Sequence, residues 1–311
     1  MNPVVLGIDI GGTNIAFGLC SKDGYIVSEN QIRTRSVASP EDLVDKLYEI
    51  YGGQFDSIQA IGIGAPNGNY HSGCIEFAPN LNWRGKIQLK TLFEKSFNIP
   101  TTLTNDANAA AQGEMMFGAA QDLQDFVTIT LGTGVGSGIV INGQVVYGHD
   151  GFAGEFGHIR VEPNGRDCGC GRKGCLETYV SATGVIRSIK ELPSENKVSS
   201  ALIKLENPTA KDVFDLSREG DKFAEEIVAF TINRLGAALA DFACFSSPKA
   251  YVLFGGVARN GSGFDQKVKE AMEQELLKIY QNKIEVRLSQ LLGSDAAILG
   301  AASLAWSSIK D

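Results

Sequence analysis

Short apolar runs alternate with amphipathic stretches along the chain, and glycine turns mark several of the changeovers. Residues 4–10 are mainly apolar and end at Gly11 and Gly12. Val, Ile and aromatic character continues through 15–20 and 25–27, so the pattern predicts a strand, a glycine turn and further strands, an opening meander. Ser39-Pro40-Glu41-Asp42 spells a helix start, with a capping serine, a proline at the first position and acids in the first turn. Leu43, Val44, Leu47 and Ile50 supply the apolar stripe of that helix. The same reasoning predicts strands at 58–64, 100–104, 126–131, 138–141, 250–254 and 284–288. It predicts helices at 87–97, 105–120, 179–192, 221–245, 263–280 and 294–306. Residues 145–164 read as irregular and 193–208 as loop. Strands alternating with helices through glycine turns define an α/β protein.

The composition narrows the function classes. A chain of 311 residues with 43% hydrophobic and 21% charged residues is of ordinary globular make-up, long enough for two domains. The net charge of −8 disfavours non-specific binding to nucleic acid or to an anionic membrane. The longest apolar runs, 126–131 and 250–254, fall far short of the roughly 20 residues of a membrane span. The N-terminal sequence lacks the basic and apolar regions of a signal peptide, which makes the cytoplasm the expected compartment. Of six cysteines, three lie within residues 168–175. In a reducing compartment such clustering points to metal before disulfide.

Three glycine turns follow short apolar runs: Asp9-Ile10-Gly11-Gly12-Thr13-Asn14, Leu131-Gly132-Thr133-Gly134, and Leu253-Phe254-Gly255-Gly256. Glycine lets a backbone approach phosphate and present its N–H groups, and Thr13 and Thr133 add hydroxyl donors. Asp9, at a strand end, has the chemistry to hold a magnesium ion directly or through water. Taken singly, each turn reads first as a tight connection, and it is the recurrence of three that favours phosphate binding. No P-loop is present, and no strict G-x-G-x-x-G follows the first strand, so the P-loop and dinucleotide classes are disfavoured.

Cys168, Cys170 and Cys175, spaced by glycines and preceded by His158, offer the four N and S ligands of a tetrahedral structural zinc site. Free thiols in a glycine-rich loop are the alternative. Asp106 opens a predicted helix, where an N-cap is the plain reading of an aspartate. Glu155 and Glu177, taken alone, read as surface charge.

The three turns resemble the two phosphate motifs and the adenosine motif of the actin-like ATPase superfamily. Glu155-Phe-Gly-His158 followed by Cys168-x-Cys170-Gly-x-x-Gly-Cys175-x-Glu177 is similar to the ROK family of bacterial sugar kinases and sugar-responsive repressors. Asn105-Asp106-Ala-Asn108-Ala and Gly151-Phe-Ala-Gly154 agree with it, and the resemblance extends over essentially the whole chain. It is nearest the family's glucokinases.

The resemblance implies two ribonuclease-H-like α/β domains with a cleft between them. Residues 1–105 plus 291–311 would form the smaller, and residues 106–290 the larger, which carries the zinc loop and dimerisation helices. It implies ATP with Mg2+ at Asp9, Gly11, Gly12, Thr13 and Asn14 and at Gly132, Thr133 and Gly134, with Gly255 and Gly256 near the adenosine. Asp106 becomes the base for phosphoryl transfer. Asn80, Asn105, Asp106, Glu155, His158 and Glu177 become the sugar contacts, with one structural zinc on His158, Cys168, Cys170 and Cys175. The implied reaction converts glucose to glucose 6-phosphate in a homodimer or homotetramer. Family glucokinases commonly continue the Gly-Ala-Pro turn with glycine, whereas Asn67 follows Gly64-Ala65-Pro66 here. An N-acetylhexosamine (N-acetylglucosamine or N-acetylmannosamine) kinase or a broad hexokinase therefore stays open. A sugar-responsive regulator is disfavoured, because the first glycine turn begins within ten residues of Met1 and leaves no room for a DNA-binding domain.

Overall fold

A computed structural model describes residues 3–77, 81–291 and 293–309, with the side chains of residues 54–56 and 294 left aside. The chain opens with strands β1 (Val4–Ile10), β2 (Asn14–Cys20) and β3 (Ile26–Arg33), followed by helix α1 (Pro40–Tyr51) and strand β4 (Ile58–Gly64). A small hairpin, β5 (Gly68–Asn69) and β6 (Cys74–Ile75), precedes α2 (Leu89–Phe97), β7 (Thr101–Thr104) and α3 (Asp106–Phe117). Strands β8 (Phe126–Leu131), β9 (Val135–Ile141) and β10 (Gln144–Val145) lead into the loop region, then α4 (Glu177–Val180) and α5 (Ala182–Glu191). Helices α6 (Ala210–Arg218) and α7 (Lys222–Ser246) come next, then β11 (Ala250–Phe254), α8 (Gly256–Asn260) and α9 (Phe264–Glu275). Strand β12 (Glu285–Leu288) and helix α10 (Gly293–Ser308) close the chain.

The chain folds as two compact units, residues 1–124, 138–154 and 290–311 in the first and 125–137 and 155–289 in the second. The expected break after residue 105 thus falls after Gln124 instead. The reason is α3, which packs on α10 and β4 within the first unit.

The first unit holds a five-stranded sheet of order β3-β2-β1-β4-β7. The predicted meander is its antiparallel half, while β1, β4 and β7 run parallel. Glycines at paired positions 7 and 62 leave the sheet face flat. A Cβ on Gly62 would collide with the Ala301 carbonyl, so alanine-rich α10 lies directly on the strands. Ser39 caps α1 as expected, accepting from Asp42 N. The buried stripe of α1 is Leu43, Val44, Leu47 and Tyr51, whereas Ile50 is exposed. Each fully buried side chain of this kind contributes about 1.5–3 kcal/mol.

The second sheet has the order β10-β9-β8-β11-β12, in which β8, β11 and β12 are parallel. Among the described residues, α7 is long and apolar enough to cross a membrane by length and composition, which a scan of short apolar runs overlooks. Its apolar positions, among them Phe223, Ile227, Leu235 and Phe242, are buried inside the second unit, where α7 packs on α6 and α9. That is the environment of a core helix.

Candidate functional site

In the first unit, parallel register sets the chemistry. Asp9 of β1 pairs with Gly64 of β4, and Gly64 pairs with Thr104 of β7. The carboxyl ends of three adjacent parallel strands therefore carry Asp9, the Gly64-Ala65-Pro66 turn and Asn105-Asp106, the position where α/β sheets place ligands. Asn105, not Asp106, caps α3: its Oδ1 accepts from Asn108 N at 2.7 Å. The plain reading of Asp106 as N-cap is thus corrected. Asp106 occupies the first helical position, with Oδ1 accepting from Ala107 N at 2.8 Å, and solvent reaches its side chain.

A Cβ on Gly64 would stand 3.3 Å from Asp9 Oδ1 and 3.8 Å from the Asp106 Cα, so the two aspartates share one neighbourhood. Burial, and next the Asp106 charge, push the Asp9 pKa up to about 7. The surrounding protein also raises the Asp106 pKa, against the lowering effect of the Ala107 N–H. Its solvent access tempers that rise. Gly12 and Thr13 are exposed in the β1–β2 turn, which is closed by Gly11 N donating to Asn14 O at 2.9 Å. The Thr34 hydroxyl braces the turn at Gly11 O, 2.6 Å away.

In the second unit the other two glycine turns lie side by side. Strands β8 and β11 are parallel neighbours, so Gly132-Thr133-Gly134 and Gly255-Gly256 leave the sheet at the same edge. Gly255 has φ +104°, and a Cβ there would lie 2.6 Å from Leu131 O, so this position requires glycine. A Cβ on Gly134 would lie 2.9 Å from Glu177 Oε2, which puts Glu177 beside the first of these turns.

His158 ends a short 3-10 turn over Phe156–His158. The cysteines sit in a hairpin with bridges Arg160–Cys175 and Asp167–Lys173. The ligand atoms of His158, Cys168, Cys170 and Cys175 all lie within 4.8 Å of one another. Cys168 Sγ is 3.7 Å from His158 Nδ1, and Cys170 Sγ is 3.6 Å from Cys175 Sγ. Zinc–sulfur bonds of about 2.3 Å in a tetrahedron space the sulfurs about 3.8 Å apart, so the donor set fits zinc.

Burial raises the Cys170 pKa, but hydrogen bonds from the Arg172 backbone and the neighbouring thiols outweigh it and bring the thiol down to about 7. That thiol is close to the ionised form a metal takes. With Nδ1 turned to the sulfurs, His158 Nε2 faces Glu155 Oε2 at 3.9 Å. Cys168 Sγ donates to Glu177 Oε1 at 2.9 Å. A ligand sulfur gives up that proton when it binds metal, which frees Glu177 for another donor.

The predicted residues therefore form two groups. The first unit holds Asp9, Gly11, Gly12, Thr13, Asn14, Asn105 and Asp106, and the second holds Gly132, Thr133, Gly134, Glu155, His158, Glu177, Gly255, Gly256 and the cysteines. Asn80 lies outside the described residues. The sequence reading missed Ser181 and Thr183. It ran one helix through 179–192, whereas the helix breaks at Ser181, whose hydroxyl caps α5 by accepting from Gly184 N. A serine just before the stripe of Val185 and Ile189 was the available signal.

Two α/β units, each with glycine turns at the carboxyl ends of parallel strands, define the actin-like ATPase fold. Residues 5–308 match the ROK family, and the chain belongs to that family. It is 36% identical to a glucokinase of Halalkalibacterium halodurans, over 96% of this chain and 94% of that protein. It is 35% identical to a glucokinase of Thermotoga maritima, over 96% of both. Among solved structures, a ROK family glucokinase from Streptomyces griseus in complex with glucose and AMPPNP matches with a TM-score of 0.80 at 35% identity, over 98% of this chain and 100% of that one.

Proposed function

We propose that the protein transfers the γ-phosphoryl group of ATP to the 6-hydroxyl of glucose, with Asp106 as the base. The observation that carries the assignment is the division of labour at the start of α3. Asn105 does the capping, which leaves the Asp106 carboxylate solvent-reached at a parallel strand end. As the sugar's O6 attacks the γ-phosphorus, its proton passes to Asp106, and the bond from the γ-phosphorus to the β–γ bridging oxygen breaks to release ADP. Phosphoryl transfer has a loose transition state, so orienting O6 matters more than the strength of the base.

In this proposal Asn105, Asp106, Glu155, His158 and Glu177 supply the carboxylates, amide and imidazole that sugar hydroxyls pair with. Asn80 belongs to the same proposed set. Asp9 and the turns at Gly11, Gly12, Thr13 and Asn14 and at Gly132, Thr133 and Gly134 would take the phosphates, and Gly255 and Gly256 the adenosine side. Mg2+ carried with ATP supplies charge neutralisation at the phosphate oxygens. His158, Cys168, Cys170 and Cys175 would hold one structural zinc, which pins the loop that presents Glu155 and Glu177.

Asn67 favours keeping the second substrate reading. Its φ of +50° is the left-handed backbone that glycine takes most easily, so the turn keeps its shape while gaining a side chain. That side chain donates to Phe77 O at 2.7 Å. An amide beside the Gly64-Ala65-Pro66 turn is a group that could discriminate at the sugar's second carbon. A coupled assay of ADP release over glucose, mannose, N-acetylglucosamine and N-acetylmannosamine tests both readings. Glucose is expected to give the highest kcat/KM. Preference for an N-acetylhexosamine selects the second reading, and no release with any hexose overturns both.

The cytoplasm belongs to the same proposal, supported by a thiol cluster that requires reducing surroundings. So does assembly into a homodimer or homotetramer, as the family resemblance implies. Sedimentation analysis reads the assembly directly.

A further inference from the structure

Two side chains that the proposed mechanism does not use, Arg166 and Thr183, connect the metal loop to the nucleotide turn inside the second unit. Arg166 lies two residues before Cys168, and its side chain is 8% exposed. Nη1 donates to Thr178 O at 2.7 Å and to Gly184 O at 3.1 Å, and Nη2 donates to Ser188 Oγ at 2.9 Å. Nε meets Glu191 Oε2 at 2.8 Å. The guanidinium also lies over the Tyr179 ring, 4.7 Å from its centroid. A buried cation is costly unless satisfied in this way. The backbone of the same residue belongs to the metal hairpin: Arg166 N donates to the Tyr179 hydroxyl, and Gly174 N donates to Arg166 O at 2.8 Å. Arg166 therefore has its main chain in the metal loop and its side chain on α5.

The N-terminus of α5 grips the nucleotide turn. Ala182 N donates to Gly132 O at 2.8 Å, and Thr183 Oγ1 donates to Thr133 O at 2.8 Å. In a trans peptide the C=O of one residue and the N–H of the next point in opposite directions. Fixing Gly132 O therefore aims the Thr133 N–H away from α5, and fixing Thr133 O aims the Gly134 N–H the same way. Those two N–H groups are the donors a phosphate would use.

We infer that Arg166 and Thr183 are positioning residues that hold the Thr133 and Gly134 N–H groups ready for the nucleotide's phosphates, and that they join the metal loop and the nucleotide turn into one body. The inference rests on the reading of ATP as the phosphoryl donor.

Thr183→Val, Thr183→Ser and Arg166→Lys, made in the full chain, test it. The readouts are the Kd for AMPPNP, the KM for ATP and for glucose, and the melting temperature. Thr183 is exposed, so Thr183→Val should leave the melting temperature within about 2 °C. It should weaken AMPPNP binding about five-fold, the scale of one net hydrogen bond, while the glucose KM stays within about two-fold. Thr183→Ser should restore binding. Arg166→Lys should also weaken AMPPNP binding, and its effect should be non-additive with that of Thr183→Val. If Arg166→Lys does not fold, the Thr183 pair decides alone. AMPPNP binding unchanged in Thr183→Val, or ATP and glucose affected in equal proportion, overturns the inference while wild-type kinase activity stands. A wild-type chain that neither binds AMPPNP nor releases ADP with any hexose overturns the inference and the proposed function together.

Discussion

The first unit places Asp9, Gly64 and Asp106 through the register of three parallel strands, with a buried sheet and α10 behind them. The second presents Glu155, His158 and Glu177 from a short 3-10 turn, the first residue of α4 and the long loop between them, held by a metal-ligand set and by hydrogen bonds from Arg166. A sheet holds its strand ends wherever the core is intact. A loop holds its side chains only while its specific bonds are made. The difference predicts that the first group resists everything short of unfolding or direct substitution, whereas the second can be disarmed locally.

Asp106→Asn should have the largest effect on that comparison. The substitution keeps size and leaves the Asn105 cap in place, so the melting temperature should move by less than about 2 °C while kcat falls by about 10²–10⁴. Steady-state kinetics with glucose and a thermal melt check both halves. Near-normal kcat would remove Asp106 from the chemistry.

Asp9→Asn should come second. In the role proposed for Asp9, removing its carboxylate should lower kcat/KM for ATP by about 10². Asp9 titrates near 3.8 in an unfolded chain and at about 7 in the folded one. The folded state binds the proton more tightly, so wild-type stability falls as pH rises from about 4 through 7. Asp9→Asn should abolish that fall and make the chain more stable at pH 8 by about 1 kcal/mol, after allowing for the partial exposure of Asp9. In wild type, kcat/KM for ATP should rise with pH through about 7 as the carboxylate forms. Denaturant melts across pH 4–8 that run parallel in the two proteins would contradict the Asp9 account.

Stripping the metal should have the smallest effect on turnover. A strong chelator should release one zinc per chain, lower the melting temperature by about 5–10 °C (roughly 2–3 kcal/mol) and raise the glucose KM about ten-fold. Hydrogen exchange should quicken over residues 155–177 and stay unchanged in the first sheet. An unaltered glucose KM in the metal-free chain would show that the loop positions its side chains without an ion.

The same contrast governs what the sequence reveals. Strand ends and glycine turns are local signals, so Asp9, Gly11, Gly132 and Gly255 could be found one segment at a time. The thiol spacing of Cys168, Cys170 and Cys175 is local too, and it pointed to a four-ligand set before any distance was known. Long-range packing was hidden. Helix α3 belongs with the first unit because it packs on α10, nearly at the other end of the chain, and its alanine-rich sequence has little amphipathic contrast to advertise that face. Helix α6 went unread even though Thr209 and Asp212 form a capping box, a signal that was legible in principle. The expected helix over 263–280 stops at Glu275, where Leu276 turns to extended backbone. Arg166 was unreadable as a clamp, because nothing in the sequence announces that its partners are carbonyls on α4 and α5.

The central claim is that Asp106 meets the acceptor hydroxyl. A crystal structure of the chain with glucose and AMPPNP tests it most directly. The account predicts an Asp106 carboxylate oxygen within about 2.6–3.2 Å of the glucose O6. A carboxylate turned away from O6, with another acidic side chain in that place, would contradict it.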